Sequence, residues 1–323
     1  MNKLDVPSMW SSQINDAVKI AKLNSEGAYS TDQSYEELRL AYNKERAFWN
    51  EGGPEMEKTI DTLIPTRHGK VPVRLYFPSK INDHSLIVFT HGGGWVLGNC
   101  DTHDRITRIL AHESGSIVAS VDYTLAPEAV YPQPVEENVD VIQYLHVHGG
   151  KWGIDVEDIS LAGDSGGAHI ALGTYFMLRD KENISGFISS LLLFYGWFGL
   201  QDSVSARLMG GEWDGLTRED FQYYKDLALA GPEEYSKPYV DLLSNDMSKT
   251  MPPTYVMAAE LDPLIDDSKA LAKMLEICNK SVELDVIPGV IHAFLHYSKM
   301  VDAAGEALIH AAEFFQRRHL LRK

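Results

Sequence analysis

The chain has 323 residues, 44% hydrophobic and 23% charged, which suits a soluble globular enzyme with one large α/β core. Its formal net charge of −17 argues against a nucleic-acid surface or docking on an anionic membrane, since both repel it at long range. Met1-Asn-Lys-Leu-Asp-Val-Pro-Ser8 has no apolar core of a secretory signal, and no apolar run approaches the ~20 residues of a membrane span. The two cysteines, Cys100 and Cys278, read as reduced thiols, so a cytoplasmic location is expected.

In chain order, residues 1 to about 55 read as helical and amphipathic. A helix start is expected at Thr31 or Asp32, with Leu38, Ala41, Tyr42, Ala47 and Trp49 on its apolar side. This segment precedes every strand and is expected to lie over the domain. Residues 58 to 78 alternate through Thr62, Ile64, Val71, Val73, Leu75 and Phe77, the pattern of an antiparallel hairpin turning near Gly69. From residue 85 strands and helices alternate. Strands are expected at Leu86–Thr90, Ser116–Asp122, Ile159–Ala162, Leu191–Tyr195, Thr254–Ala259 and Val282–Ile287. Helices fall at about 104–113, 136–148, 168–178, from about 264, and 303–318. Such continuous apolar strands predict a mostly parallel sheet covered by helices on both faces. Between Gly196 and about Met251 the rhythm stops, and an insertion of this length is usually functional or a lid. Its Trp197 and Trp213, with Trp95 further upstream, either line a pocket or pack among themselves.

The chemistry centres on Gly163-Asp-Ser-Gly-Gly167, which fits G-x-S-x-G between a strand and a helix. That context is the one a nucleophile elbow requires: the bend exposes Ser165 and aims the Gly166 N–H at an incoming carbonyl. The same five letters mark the active serine of the all-β trypsin-like proteases, so the motif alone is ambiguous. Acyl transfer also needs a base, a group that orients it, and donors for the developing oxyanion. His91-Gly-Gly-Gly94 follows the strand ending at Thr90, and its backbone N–H groups are the candidate donors. Asp262, just after Ala259, is the candidate acid; Asp266 and Asp267 are fallbacks better read as a helix start, and Glu260 is a weaker one. His292, on the loop after Ile287, is the candidate base among 12 histidines. The order Ser165, Asp262, His292 is that of the α/β-hydrolases, whereas trypsin-like proteases run His, Asp, Ser. His103 stands alone in the sequence, and no metal-ligand spacing or phosphate loop is present.

On these residues the chain resembles the hormone-sensitive-lipase-like branch of the α/β-hydrolases. The motifs are His91-Gly-Gly-Gly94, Asp122-Tyr-Thr-Leu-Ala-Pro-Glu128, Gly163-Asp-Ser-Gly-Gly167, Asp262-Pro-Leu264 and His292-Ala-Phe294. A narrower likeness to bacterial acetyl esterases runs through Arg46-Ala-Phe-Trp-Asn50, Leu97–Arg105, Trp213-Asp-Gly-Leu-Thr217 and His292–Ser298. The resemblance implies an α/β-hydrolase fold, a helical cap from about 1–55 and about 196–250, and a Ser165–His292–Asp262 triad. It implies an oxyanion hole at His91, Gly92, Gly93, Gly94 and Gly166, no cofactor or metal, and a small-molecule ester with a short acyl chain. It also raises a protein partner, a transcriptional activator of maltose genes; a homo-oligomer stays open, because the sequence does not give the oligomeric state. Two positions depart from the family: Gly166 is commonly Ala, and Thr124 is often Arg. An amidase, lactonase or carbamate hydrolase on the same scaffold stays open. So does a non-catalytic binding protein of this fold, although the family's receptors lack a complete triad.

Overall fold

The alternating apolar residues of the hairpin form β1 (Met56–Thr66) and β2 (Gly69–Pro78), paired antiparallel with Thr66 opposite Gly69. These lie within a computed structural model that describes residues 4–24, 30–82 and 84–321. The later strands are β3 (Leu86–Thr90), β4 (Ile117–Val121), β5 (Ile159–Asp164), β6 (Ile188–Phe194), β7 (Thr254–Ala259) and β8 (Val282–Ile287). The sheet order is β1-β2-β4-β3-β5-β6-β7-β8. β2 meets β4 antiparallel, and every pairing from β4 to β8 is parallel.

Side-chain alternation along each strand decides which layer it feeds. Leu86 and Val88 of β3, with Leu161, Leu191 and Val256, pack with α4 (Gln133–His148), α5 (Gly166–Met177) and α8 (Ile265–Ile277). Ile87 and Phe89, with Leu192, Phe194 and Met257, pack with α3 (Asp104–Ser114), α9 (Asp302–Arg317) and part of α1 (Ser12–Asn24). β3 to β7 are buried throughout, but β8 is half-buried along most of its length because it is an edge strand. The expectation of cover on both faces therefore fails for β8.

The N-terminal region differs from expectation in detail. α2 (Tyr35–Asn50) is capped by Ser34, not Thr31 or Asp32, because Ser34 and Glu37 exchange the two bonds of a capping box. Leu38, Tyr42 and Trp49 are buried as expected, but Ala47 is exposed and Ala41 only half-buried. Glu45 and Arg46 are buried instead, as a pair 3.2 Å apart. Leu38 and Tyr42 join the main core, so α2 is partly built into the domain. The insertion carries α6 (Val204–Leu208) and α7 (Arg218–Ala228), the latter opened by a Thr217–Asp220 capping box. It touches the N-terminal segment: the Thr31 hydroxyl donates to Asp220 at 2.8 Å, and Trp10 meets Trp213 edge to face at 5.8 Å.

Candidate active site

β5 ends in Asp164 and α5 begins at Gly166, leaving Ser165 alone in the turn with φ of +51°. A serine is strained at that angle, and the surrounding structure holds it there. The Ser165 N–H donates to Phe194 O at 2.8 Å, which extends the β5–β6 ladder into the bend. Gly167 passes so close to β3 that an added Cβ would lie 2.0 Å from Thr90 O and 2.5 Å from His91 O. The elbow thus sits directly against the start of the glycine loop.

Three chain-distant groups meet here. The Ser165 hydroxyl donates to His292 Nε2 at 2.8 Å, and His292 Nδ1–H donates to Asp262 at 2.7 Å. The second oxygen of Asp262 accepts the Leu264 N–H at 2.8 Å, which fixes the fully buried carboxylate. Burial pulls the His292 imidazole down, but Asp262, helped by Asp214 and Asp164, more than offsets this and raises it above its usual range. The fallback acids lie elsewhere. Asp266 and Asp267 open α8 and accept N–H groups of Ser205 and of residues 198–200; Glu260 accepts the Gly289 N–H.

The expected donor set needs correction at two places. The Gly92 N–H donates to Asp164 at 2.8 Å and cannot also serve a ligand. The His91 ring is buried, stacks on Tyr123 and bonds Gly92 O, so it braces the loop instead of facing the cavity. Gly93, Gly94 and Gly166 do line the cavity with Ser165 and His292. No acceptor among the described residues is seen for the Gly93 and Gly94 N–H groups, and Gly166 leads α5, where N–H groups lack partners within the helix. The loop needs its glycines: Gly93 has φ of +116°, and a Cβ there would meet Leu97 O at 2.3 Å.

Asp164, an unspecified letter in the motif, proves to be the post behind both loops. Burial works against its carboxylate, yet His103 and the Gly92 N–H hold its pKa below the ordinary value. His103 is therefore not alone: its ring, Asp164 and His296 place ligand-type atoms within 4.8 Å of one another. Burial keeps both histidines below their usual pKa. The motifs of the narrower likeness also interlock. Asn50 donates to Thr102 O at 2.9 Å and accepts the Arg105 N–H at 2.8 Å, while Arg105 Nε donates to Ser298 at 3.1 Å.

The cavity over Ser165 holds about 60 Å³ and is walled by Trp95, Trp197, Leu216, Phe221, Tyr224 and Leu264. Trp95 and Trp197 are thus pocket residues; Trp213 packs against Trp10 instead. Asp214 also lines it, and burial pushes its carboxyl up to about 6. Sequence reasoning missed Asp164 and Asp214 as site residues, although both lie inside motifs quoted above. Both cysteines are unpaired thiols, and no helix among the described residues is long and apolar enough to cross a membrane.

A strained serine elbow, a histidine and carboxylate behind it, and a glycine loop at the ends of parallel strands define a serine hydrolase of the α/β class. The chain belongs to the alpha/beta hydrolase fold family, which matches residues 87–296. It is 45% identical over 290 residues to the acetyl esterase of Salmonella dublin, covering 90% of this chain and 89% of that one. The solved hyperthermophilic esterase of Pyrobaculum calidifontis superposes with a TM-score of 0.86 at 29% identity, covering 94% of this chain and 98% of that one. A thermostable carboxylesterase cloned from a metagenomic library gives 0.85 at 29% identity, covering 91% and 100%.

Proposed function

We propose that the protein hydrolyses carboxylic esters of short acids, acetate foremost, with Ser165 as nucleophile, His292 as base and Asp262 as its orienting acid. The observation that carries this is the unbroken hydrogen-bond line from Ser165 through His292 to Asp262. Ser165 Oγ attacks the ester carbonyl as His292 Nε2 takes its proton. Asp262 holds the ring with Nδ1 protonated and stabilises the imidazolium. The carbonyl oxygen becomes an oxyanion facing Gly93, Gly94 and Gly166, and one such donor is typically worth about 3–4 kcal/mol. The tetrahedral centre collapses, the C–O bond to the alcohol breaks, and His292 returns the proton to the departing oxygen. Water, deprotonated by His292, then cleaves the acyl-enzyme, and Ser165 regains its proton. The narrow cavity suits an acetyl group. In this account the N-terminal helices and the insertion form a composite cap, supported by the Thr31–Asp220 and Trp10–Trp213 contacts. A cytoplasmic location belongs to the same proposal, supported by the two unpaired thiols.

The test is incubation with an organophosphate followed by peptide mass mapping. A covalent adduct on Ser165 is expected, and its absence would sink the nucleophile assignment. Ser165→Ala should abolish p-nitrophenyl acetate turnover with an unchanged circular dichroism spectrum.

A further inference from the structure

Two cavities of unequal size and chemistry meet at the site. The inner one over Ser165 holds about 60 Å³, and the outer one about 660 Å³. Trp197, Leu216, Phe221 and Leu264 line both, so the two are neighbours across these side chains. An ester that places its acetyl group in the inner cavity has the outer one beside it for its alcohol part. That chamber sets hydrogen-bonding side chains such as Gln201 and Gln222 beside aromatic faces, a lining that fixes the orientation of a polar ligand.

Asp214 stands at the inner cavity beside Ser165 and His292. Its Oδ1 accepts the N–H groups of Gly211 and Leu216, both at 3.1 Å, which anchors the loop between α6 and α7. Its Oδ2 is buried and has no hydrogen-bond partner among the described residues. Buried acceptors are rarely left without a donor, and Asp214 is a lining residue of the inner cavity. The outer chamber sets Arg207, Arg218 and Lys225 against Asp202, Glu219 and Asp267, with Arg207 paired to Asp202, so it favours neither sign of charge and suits a neutral donor, a hydroxyl.

We propose that Asp214 is a specificity-determining residue and that the substrate is an acetyl ester of a polyhydroxylated alcohol. A hydroxyl next to the ester oxygen donates to Asp214 Oδ2, and the remaining hydroxyls occupy the outer chamber. This rests on the ester-hydrolase function proposed above.

The experiment compares matched esters that differ by one donor: 2-hydroxyethyl acetate against propyl acetate, and a monoacetylated methyl hexoside against cyclohexyl acetate. The unmodified protein should show kcat/KM at least about tenfold higher for the hydroxylated member of each pair, the scale of one hydrogen bond to a charged acceptor. Asp214→Asn keeps an oxygen for the Gly211 and Leu216 N–H groups and turns the free acceptor into a donor; the ratio should collapse towards one. Equal rates within the pairs, or a ratio that survives in Asp214→Asn, would overturn the proposal. A second measurement needs no variant: methyl hexoside should inhibit p-nitrophenyl acetate hydrolysis competitively and more strongly than cyclohexanol, and the reverse order would count against it. Failure to release acetate from any of the esters, including p-nitrophenyl acetate, would instead remove the ester-hydrolase function and the proposal with it.

Discussion

Adding one methyl group at Gly167 tests how the site is held together. A Cβ at this position would lie 2.0 Å from Thr90 O, about 1.0 Å inside the 3.0 Å limit that real Cβ contacts respect. The obstacle is backbone at the end of a buried strand, so neither partner can rotate away. Relief requires β3 and α5 to separate by about 1 Å. Overpacking of this kind costs about 3 kcal/mol, the upper end for well-packed cores. In a chain of this size that lowers the melting temperature by about 4 °C. The same displacement moves Gly93 and Gly94 away from Ser165, and a misplacement of about 1 Å can cost about 10²-fold in rate. Gly166→Ala is the neighbouring contrast: its Cβ would stand 3.2 Å from the Trp95 N and Nε1, a contact that a few tenths of an ångström relieve. Thermal melts and kcat on p-nitrophenyl acetate should therefore show a large loss in Gly167→Ala and a far smaller one in Gly166→Ala. Equal behaviour of the two variants would refute the tight apposition of elbow and glycine loop.

Because Ser165 can give its proton only to a neutral imidazole, kcat/KM should rise with pH and level off past a midpoint above about 6.5, following the raised His292. A midpoint at or below that value would contradict the Asp262 pairing. Asp262→Asn should lower kcat by about 10⁴-fold with little change in fold, and full activity in that variant would remove Asp262 from the reaction. Asp164→Ala strands the buried Gly92 N–H and should cost about 3 kcal/mol in urea unfolding; an unfolding curve like that of the unmodified chain would show the loop is held otherwise. In a p-nitrophenyl ester series from acetate to decanoate, rates should fall with acyl length because the inner cavity holds only about 60 Å³; faster turnover of the long chains would contradict this.

The sheet was legible because its strands are short apolar runs between turn residues, and β3, β7 and β8 fall at the residues read from the sequence. The Ser165, Asp262 and His292 candidates were legible because each follows its own strand. Other features depend on three-dimensional pairing that residue type does not encode. Gly92 is chemically the same as Gly93 in the sequence, and only the position of the Asp164 carboxylate separates them. Glu45 and Arg46 look like a solvated face and are buried because each neutralises the other. Ser34 displaces Thr31 and Asp32 as the cap because Glu37 stands three residues on, a spacing visible in the letters. The free oxygen of Asp214 has no sequence signature at all.

The wall that α7 presents to the glycine loop has a consequence for engineering. A Cβ at Gly94 would lie 2.8 Å from the Tyr224 ring, so the helix rests on the very backbone whose N–H groups face the cavity. Loop and insertion are thus a single mechanical part. Exchanging the insertion for one from a relative with a roomier entrance would disturb the alignment of the donors as well as the choice of alcohol. Selection for broader substrate range should therefore yield paired changes, one at residue 224 or its neighbours on α7 and a compensating one in the loop from residue 92 to 98.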